Sequence, residues 1–218
     1  GLSNGLHAVK ATAADAVGNT SPESNTHSFT VDTVVPAAPV VLTPVNGSTT
    51  SDNTPTYTGT AEAGATVTVI VDGAAVGTTT ADGAGAWTLT PDTALEDGPH
   101  VVNATATDAV GNTSPESNTH SFTVDTTAPA APVVLTPADG STIGDNTPTY
   151  SGTAEAGSTV TVIVDGAEVG TTTANGAGTW SYTPATVLAD GPHTVSATAA
   201  DAVGNTSPES NTHSFTVD

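Results

Sequence analysis

Residues 159–173 read TVTVIVDGAEVGTTT, and this stretch decides the fold. Valine alternates with threonine over most of Thr159–Val164, as in β-strands that bury one face. Asp165-Gly166 is a strong signal for a two-residue turn, and residues 168–173 read as the returning strand. The stretch therefore predicts an antiparallel β-hairpin.

The hairpin lies inside a long internal repeat. The string DAVGNTSPESNTHSFTVD occurs three times without a change, ending at Asp32, Asp125 and Asp218, so the period is 93 residues. Because the chain starts in the middle of a repeat, we expect it to be a piece of a longer protein. We predict three domains: the last two strands of a truncated repeat in residues 1–32, and complete repeats in residues 33–125 and 126–218.

Composition favours β-structure in each repeat. A unit of 93 residues is the size of one small domain with its own core. Threonine, valine and glycine are abundant, methionine and cysteine are absent, and helix-forming runs of alanine, leucine, glutamate and lysine are missing. A chain without cysteine is compatible with a secreted bacterial protein.

The charge balance restricts the partners. The chain carries 22 acidic residues and one basic residue, for a net charge of −21, so phosphate groups would repel it. We therefore expect no nucleic acid partner and attraction of cations instead. Only 11% of residues are charged, which argues against a disordered acidic tail. No apolar run is long enough for membrane insertion.

Seven short strands are predicted in the last repeat, at spacings of about 8 to 15 residues. They are residues 129–137, 147–154, 159–164, 168–173, 180–183, 193–200 and 212–217. Strands of this number and spacing are typical of an immunoglobulin-type sandwich. We predict an all-β chain of tandem seven-stranded antiparallel Ig-like sandwiches with a 93-residue repeat.

Comparison of the copies predicts which strand face is buried. In the sixth strand one alternating set of residues is the same in both complete repeats, and every difference falls on the other set, as expected for a buried and an exposed face. Each Trp is expected in the core rather than on a sugar-binding platform. The predicted core residues are Val67, Val69, Val71, Trp87, Val102, Ala104, Ala106, Phe122, Val160, Val162, Val164, Trp180, Val195, Ala197, Ala199 and Phe215.

Three strings carry a resemblance to a known family: TPTYSGTAEAGSTVTVIVDG, DGPHTVSATAADAVGNTSPES and VDTTAPAAP. They resemble the bacterial Ig-like repeats of giant secreted adhesins and biofilm-associated surface proteins, and the resemblance covers the whole chain. It implies an extracellular or cell-surface stalk that carries an adhesive domain away from the cell. In several members of the family, calcium at the domain junctions is implied to stiffen that stalk.

Acidic residues form the candidate site. In a seven-stranded Ig-type sandwich, the entry of the first strand and two loops meet at one pole, where one domain follows another. The residues expected there are Asp32, Glu62, Asp108 and Asn112 in one repeat, and Asp125, Glu155, Asp201 and Asn205 in the next. Carboxylates and amide oxygens are ligands that Ca²⁺ prefers, so we predict a calcium site at each junction. The alternative is that each acid only solvates a loop or caps a turn.

Other site types are weakly supported. No Ser–His–Asp spacing, paired-carboxylate cleft or phosphate-binding loop is visible, so we do not expect an enzyme. Pairing of the last two strands through a loop near residue 112 would place His120 opposite position 105, five residues from His100. At about 3.3 Å per residue, the two imidazoles would be too far apart to share a zinc ion, and both are expected at the surface or an edge.

The predicted function is an extracellular structural spacer in a bacterial adhesin or biofilm matrix protein. Two alternatives remain open: a protomer of an extracellular filament or sheath, and a spacer module of a secreted hydrolase. The expected partners are neighbouring repeats of the same protein. The two strands predicted in residues 1–32 are residues 6–13 and 26–31. As an isolated hairpin they would leave inner-face side chains such as Val9 and Phe29 bare, so we expect other polypeptide, such as another copy of the chain, to complete them.

Overall fold

The computed structural model describes all 218 residues, and every regular element in it is a β-strand. The strands that precede the last repeat are β1 (Gly5–Val9), β2 (His27–Val31), β3 (Val40–Thr43), β4 (Ser48–Thr50), β5 (Tyr57–Thr60), β6 (Thr66–Val71), β7 (Ala74–Thr80), β8 (Ala86–Leu89), β9 (Gly98–Thr107) and β10 (His120–Val124). Those of the last repeat are β11 (Val133–Thr136), β12 (Ser141–Ile143), β13 (Tyr150–Thr153), β14 (Thr159–Val164), β15 (Ala167–Thr173), β16 (Thr179–Tyr182), β17 (Gly191–Ala200) and β18 (His213–Val217).

Each complete repeat pairs a three-stranded sheet with a five-stranded sheet. The sheets of residues 33–125 have the orders β3-β5-β8 and β4-β10-β9-β6-β7. Those of residues 126–218 have the orders β11-β13-β16 and β12-β18-β17-β14-β15. The prediction of tandem all-β sandwiches is confirmed.

The predicted number of seven strands is wrong, because each complete repeat has one further short strand after its first strand, β4 in one repeat and β12 in the other. In the last repeat β11 pairs antiparallel with β13, whereas β12 pairs parallel with β18 in the other sheet. Pro137 lies between the two segments, and proline has no N–H to donate to a sheet. The three-residue strand β12 is too short to show alternation in the sequence. The sandwich therefore has eight strands, and one pair is parallel.

The hairpin in residues 159–173 forms as predicted. Strand β14 pairs with β15 from Thr159↔Thr173 to Val164↔Ala167. The turn residues Asp165 and Gly166 have φ values of 53° and 78°, and a two-residue turn of the I′ type needs positive φ at both positions. Aspartate and glycine tolerate this conformation best, which explains why the Asp-Gly pair sets the register.

The predicted core residues are all buried. Trp180 is only 3% exposed, and its ring lies over Gly152, where a Cβ atom would come within 2.8 Å of the ring. Gly152 therefore provides the space that the Trp180 ring fills. Trp87 is equally buried, and both tryptophans pack in cores rather than on a sugar-binding platform.

One residue of the predicted outer face departs from the pattern. Ser196 is buried, and its hydroxyl donates a hydrogen bond to the carboxylate of Glu209. In the second repeat the corresponding pair is Asn103 with Glu116, at 3.0 Å. The outward side chain varies between copies, while its glutamate partner does not.

The chain divides into two compact units. The first contains Gly1–Ser48, Thr54–Ala94 and His100–Phe122, and the second contains Thr49–Asn53, Leu95–Pro99 and Thr123–Asp218. These units do not follow the repeat, so the domain boundaries after Asp32 and Asp125 stay a prediction.

Residues 1–32 form a two-stranded sheet, β1 with β2, paired from Gly5↔Val31 to Val9↔His27. Strand β1 is shorter than the predicted strand over residues 6–13. Val9 and Phe29, which were expected on its inner face, are 52% and 42% exposed. This hairpin has the strands of the repeat but not its core.

Candidate functional site

The loop after the sixth predicted strand is held by an aspartate. Asp108 Oδ1 accepts hydrogen bonds from the backbone N–H groups of Val110 and Asn112, both at 2.9 Å. Asp108 Oδ2 accepts from Asn112 Nδ2 at 2.8 Å. Asp201 makes the same set of bonds with Val203 and Asn205. Both aspartates therefore cap turns, as the simpler interpretation of these acids proposes.

These bonds favour the ionised form of both aspartates. Burial raises the pKa of Asp108, but the hydrogen bonds from the Asn112 side chain and backbone outweigh burial and leave that pKa below its usual value of 3.8. The pKa of Asp201 is lowered in the same way, with Asn205 as the donor.

The two asparagines also reach the linkers, the segments that begin at Asp32 and at Asp125 and lead into the first strand of the following repeat. Asn112 Nδ2 donates to the backbone carbonyl of Asp32 at 3.2 Å, and Asn205 Nδ2 donates to the carbonyl of Asp125 at 2.7 Å. The sequence predicts that these amides offer their oxygen to a cation. In the structure each amide nitrogen instead lies between two oxygens, those of a carboxylate and a carbonyl.

The predicted acids do meet in two clefts. Asp32, Glu62 and Asp108 line a cleft of about 370 Å³. Asp125, Glu155 and Asp201 line one of about 280 Å³. No three His, Asp or Glu side chains are grouped so that they could hold one metal ion. The clefts collect negative charge without forming a finished metal site, and the calcium site stays a prediction.

A second set of linker contacts was missed by the sequence analysis. Asn4 Oδ1 accepts from the backbone N–H of Thr33 at 3.0 Å and from its hydroxyl at 2.7 Å. In the following repeat Asp97 Oδ1 accepts from Thr126 N–H at 2.9 Å and from its hydroxyl at 2.8 Å. Asn4 and Asp97 are one period apart, and the shared side-chain carbonyl group is the signal that could have identified them.

Asp97 makes one more bond than Asn4. Its Oδ2 accepts from the hydroxyl of Thr127 at 2.7 Å, whereas the corresponding residue in the first linker is Val34, which has no hydroxyl. Hydrogen bonds from the side chains of Thr127 and Thr126 lower the pKa of Asp97 below 3.8. The carboxylate is therefore the form that fits this position.

The predicted position of the histidines is wrong. In the last repeat His213 lies opposite Val195, only two residues from His193, because β17 and β18 pair from Gly191↔Val217 to Val195↔His213. The His193 side chain is 11% exposed, so it is not a surface residue. The chain between the paired residues of β17 and β18 is longer than the predicted pairing requires.

The ring nitrogens of His193 both face acceptors. Nδ1 lies 2.7 Å from Asp165 Oδ2, and Nε2 lies 2.8 Å from the carbonyl oxygen of Ala189. The Ala189 carbonyl and the Asp165 carboxylate raise the pKa of His193 above 6.5. His213 Nδ1 lies 2.8 Å from the carbonyl oxygen of Pro137, so each histidine has a structural partner.

Comparison with known proteins identifies the family. Residues 44–126 and 136–218 each match the family described as Bacterial Ig-like domain. The chain belongs to this family. It holds two tandem bacterial Ig-like domains, as the resemblance predicts, and domains of this kind are typically non-catalytic modules. No curated protein matches the chain.

One solved structure shares the fold, and two others align with lower scores. The fibronectin(III)-like modules of CbhA from Clostridium thermocellum align over 83% of this chain and 94% of their own, with 17% identity and a TM-score of 0.50. A tetra-tandem repeat from the extending region of a large adhesion protein aligns over 100% of this chain and 57% of its own, with 28% identity and a TM-score of 0.36. The BSP domain of a biofilm-associated protein aligns over 84% of this chain and 30% of its own, with 23% identity and a TM-score of 0.33.

The structure contains no helix long and apolar enough to cross a membrane.

Proposed function

We propose that this chain is an extracellular structural spacer of tandem Ig-like domains in a bacterial adhesin or biofilm matrix protein. The observation that carries the proposal is direct repetition of one bacterial Ig-like domain: residues 33–125 and 126–218 differ at only 19 of 93 positions. Copies this similar offer no copy-specific binding surface, and their repetition adds length. A net charge of −21 suits such a spacer because like charges discourage lateral association.

Chains with additional copies of residues 126–218 test this role. The longest strand has ten residues, so a spacer should gain about 35 Å or more in maximum dimension with each copy. Small-angle scattering on a series of chains measures the increment. A constant increment supports the spacer, whereas a dimension that stops growing, or specific binding of a polysaccharide by the isolated chain, contradicts it.

Calcium at the two acidic clefts belongs to the same proposal. Asp32, Glu62 and Asp108 would hold the ion in the first cleft, and the carbonyl of Asp32 adds a further oxygen donor. Glu62 is exposed and its backbone carbonyl accepts from the N–H of Ala65 at 3.1 Å, but its side-chain carboxylate accepts no hydrogen bond and is free to turn into the cleft. Asn112 would have to turn its amide oxygen toward the ion. Bound calcium would offset the repulsion between these carboxylates and restrain the linker.

Thermal unfolding with calcium and with a chelator tests the metal site. An ion bound only by the folded state at 100 times its dissociation constant stabilises that state by about 2.7 kcal/mol. The double variant Glu62→Gln, Glu155→Gln should lose most of this gain. Glu168→Ala is the matched control, because the second repeat carries Ala75 at that position. Equal melting temperatures with and without calcium would remove the metal from the proposal.

A second candidate function is a protomer of an extracellular filament, and the exposed hairpin favours it. Phe29 is 42% exposed, whereas its counterpart Phe122 is 2% exposed in a complete repeat. An unpaired strand edge beside an apolar face accepts further strands, so another copy could complete the hairpin. Sedimentation velocity tests this candidate: association that Phe29→Asp abolishes and Val17→Asp leaves intact supports it, and a monomer at all concentrations contradicts it.

A further inference from the structure

Both linkers begin with an Asp-Thr pair, Asp32-Thr33 and Asp125-Thr126. Each pair is hydrogen-bonded to one side chain that precedes it in the sequence and to another that follows it. An earlier residue accepts from the threonine, and a later asparagine donates to the carbonyl of the aspartate. The contacts recur at the same period of 93 residues. Their recurrence marks a feature of the repeat rather than of one loop.

In the first linker the earlier residue is Asn4, which accepts from both the N–H and the hydroxyl of Thr33. The later residue is Asn112, which lies 80 positions after Asp32. Asp32 also folds onto its own linker, because its Oδ1 accepts from the N–H of Val34 at 3.0 Å. Side chains thus engage the carbonyl of one linker residue and the N–H groups of the next two.

In the second linker the arrangement is the same, with one addition. Asp97 accepts from Thr126 and Thr127, Asn205 donates to the carbonyl of Asp125, and Asp125 Oδ1 accepts from the N–H of Thr127 at 3.1 Å. Asn4 and Val34 at the first linker correspond to Asp97 and Thr127 at the second. The two exchanges match, since Asp97 Oδ2 accepts from the hydroxyl at the third linker position, Thr127, whereas Val34 at the same position has no hydroxyl to donate.

From these contacts we infer that Asn4 with Asn112, and Asp97 with Asn205, form a linker clamp that orders the backbone of each Asp-Thr pair without a metal ion. Fixing a residue costs conformational entropy, and several hydrogen bonds on adjacent peptide groups offset that cost. These four side chains are positioning residues. The clamp deepens the proposed spacer function, because it names what restrains the linkers when no calcium is bound.

Amide hydrogen exchange of the whole chain in a chelator tests the clamp directly. Asp97→Ala should speed exchange of the Thr126 N–H by about three- to tenfold, the range expected for one lost hydrogen bond. Exchange of the Thr33 N–H, held by Asn4, should stay unchanged and serves as the internal reference. Asp92→Ala is the matched control, because the last repeat carries Ala185 at that position.

The later half of the clamp needs a different pair of variants. Asn205→Ala should move the carbonyl ¹³C resonance of Asp125, because it removes the donor to that oxygen. It also removes the bonds to Asp201, so Asn19→Ala is the control: Asn19 bonds Asp15 in the same way but reaches no linker. A shift of the Asp125 carbonyl only with Asn205→Ala is the expected result.

The outcomes separate the clamp from the spacer function. Unchanged exchange of Thr126 in Asp97→Ala, or an unmoved Asp125 carbonyl in Asn205→Ala, overturns the clamp while the length increment per repeat can still hold. A different outcome is that exchange of the Thr126 N–H in the wild-type protein becomes faster when calcium is removed. Calcium would then order the linker, and the clamp would be overturned. Failure of the length increment with slow Thr126 exchange would reject the spacer alone.

Discussion

The hairpin β1–β2 and the hairpin β17–β18 contain the same 18-residue string, yet they are built differently. Strand β1 has five residues, whereas β17 has ten. Phe29 is 42% exposed, whereas its counterpart Phe215 is 2% exposed. The difference lies in the partners: β14 pairs with β17 from Thr159↔Ala200 to Val164↔Val195. The second half of the long strand therefore exists because β14 lies beside it.

The loop of the hairpin does not depend on those partners. Asp15 caps its turn by accepting from Val17 N–H at 3.0 Å and Asn19 N–H at 2.9 Å, the same bonds that Asp201 makes in the complete repeat. Local hydrogen bonds thus set the turn, and long-range pairing sets the strand length. In the hairpin β1–β2 the local hydrogen bonds are present without the long-range pairing, so their effects can be told apart within one chain.

Adding the other strands of a repeat in front of the hairpin β1–β2 should have the largest effect on this difference. A copy of residues 126–186 placed before Gly1 completes the repeat, so β1 should extend to ten residues and Phe29 should become buried. A new folded domain is worth about 5–15 kcal/mol of unfolding free energy. A further cooperative transition in calorimetry, with protection of the Thr12 amide from exchange, is the expected result. If neither the further transition nor the protection of Thr12 is seen, residues 1–32 together with the added strands are not sufficient to fold a domain.

Loss of the phenylalanine ring should destabilise the domain that contains Phe215 and should cost little at Phe29. Phe215→Ala removes a buried ring and should lower the unfolding free energy of the last domain by about 3–5 kcal/mol. Phe29→Ala removes a ring that is already exposed and should leave both domain transitions in place. Denaturant titrations of the two variants measure the difference. Equal losses would mean that Phe29 contributes to a core.

Trp180→Ala tests the part of the domain that the hairpin lacks altogether. The ring is 3% exposed and fills the space above Gly152, so its loss should cost about 3–5 kcal/mol, at most as much as the loss of Phe215. Urea titration of the last domain measures the change. The control is the unfolding transition of residues 33–125 in the same sample, because Trp87 in that repeat is unchanged. A loss below about 1 kcal/mol would place the ring outside the core.

The sequence predicted most of this fold, and the exceptions have physical reasons. The Asp165-Gly166 turn and strand β14 were predicted to the residue, because turn geometry and alternation are local. Strand β12 was missed, because its pairing with β18 is a long-range parallel contact of three residues. The predicted pairing of the last two strands was wrong, as the register of the last repeat shows, since a loop length cannot be read from the strings that flank it.

For the candidate site, the sequence predicted which acids line each cleft but not the hydrogen bonds that the neighbouring side chains make. The three acids of each cleft were identified, because carboxylates at strand ends of one pole converge in any sandwich of this type. The role of Asn112 was different, since the direction of an amide depends on neighbours that are 80 residues away. Asp97 was missed for the same reason: its partner Thr126 lies 29 residues on, across a β-hairpin.

The smallest effect should come from the histidine that both hairpins share. His193 in β17 bonds to Asp165 in the turn after β14, whereas the equivalent His7 in β1 has no such turn beside it and contacts only Ser3 O and the ring of Phe29. The Ala189 carbonyl and Asp165 raise the pKa of His193 above 6.5 in the folded state. The completed repeat therefore adds a titrating pair that the isolated hairpin lacks.

The sign of the pH effect follows from these directions. Because the folded pKa of His193 is raised, its charged form stabilises the last domain fully below pH 6.5, and that stability is lost as the pH rises through the folded pKa. The pKa of Asp165 is lowered: burial raises it, but hydrogen bonds from His193 and Thr194 outweigh burial. Its contribution is therefore present above pH 3.8 and lost as the pH falls through its folded pKa. The pair should stabilise the domain most between these two limits.

Asp165→Asn should lower the titration midpoint of His193, followed by the imidazole Hε1 resonance, because it removes the negative charge beside Nδ1. It should also flatten the fall in stability of the last domain above pH 6.5. Glu168→Ala is the control, since it removes a nearby charge that the second repeat does not have. If the midpoint of His193 stays in place in Asp165→Asn and moves in Glu168→Ala, the general negative charge of the chain, and not the turn aspartate, sets the pKa of this histidine.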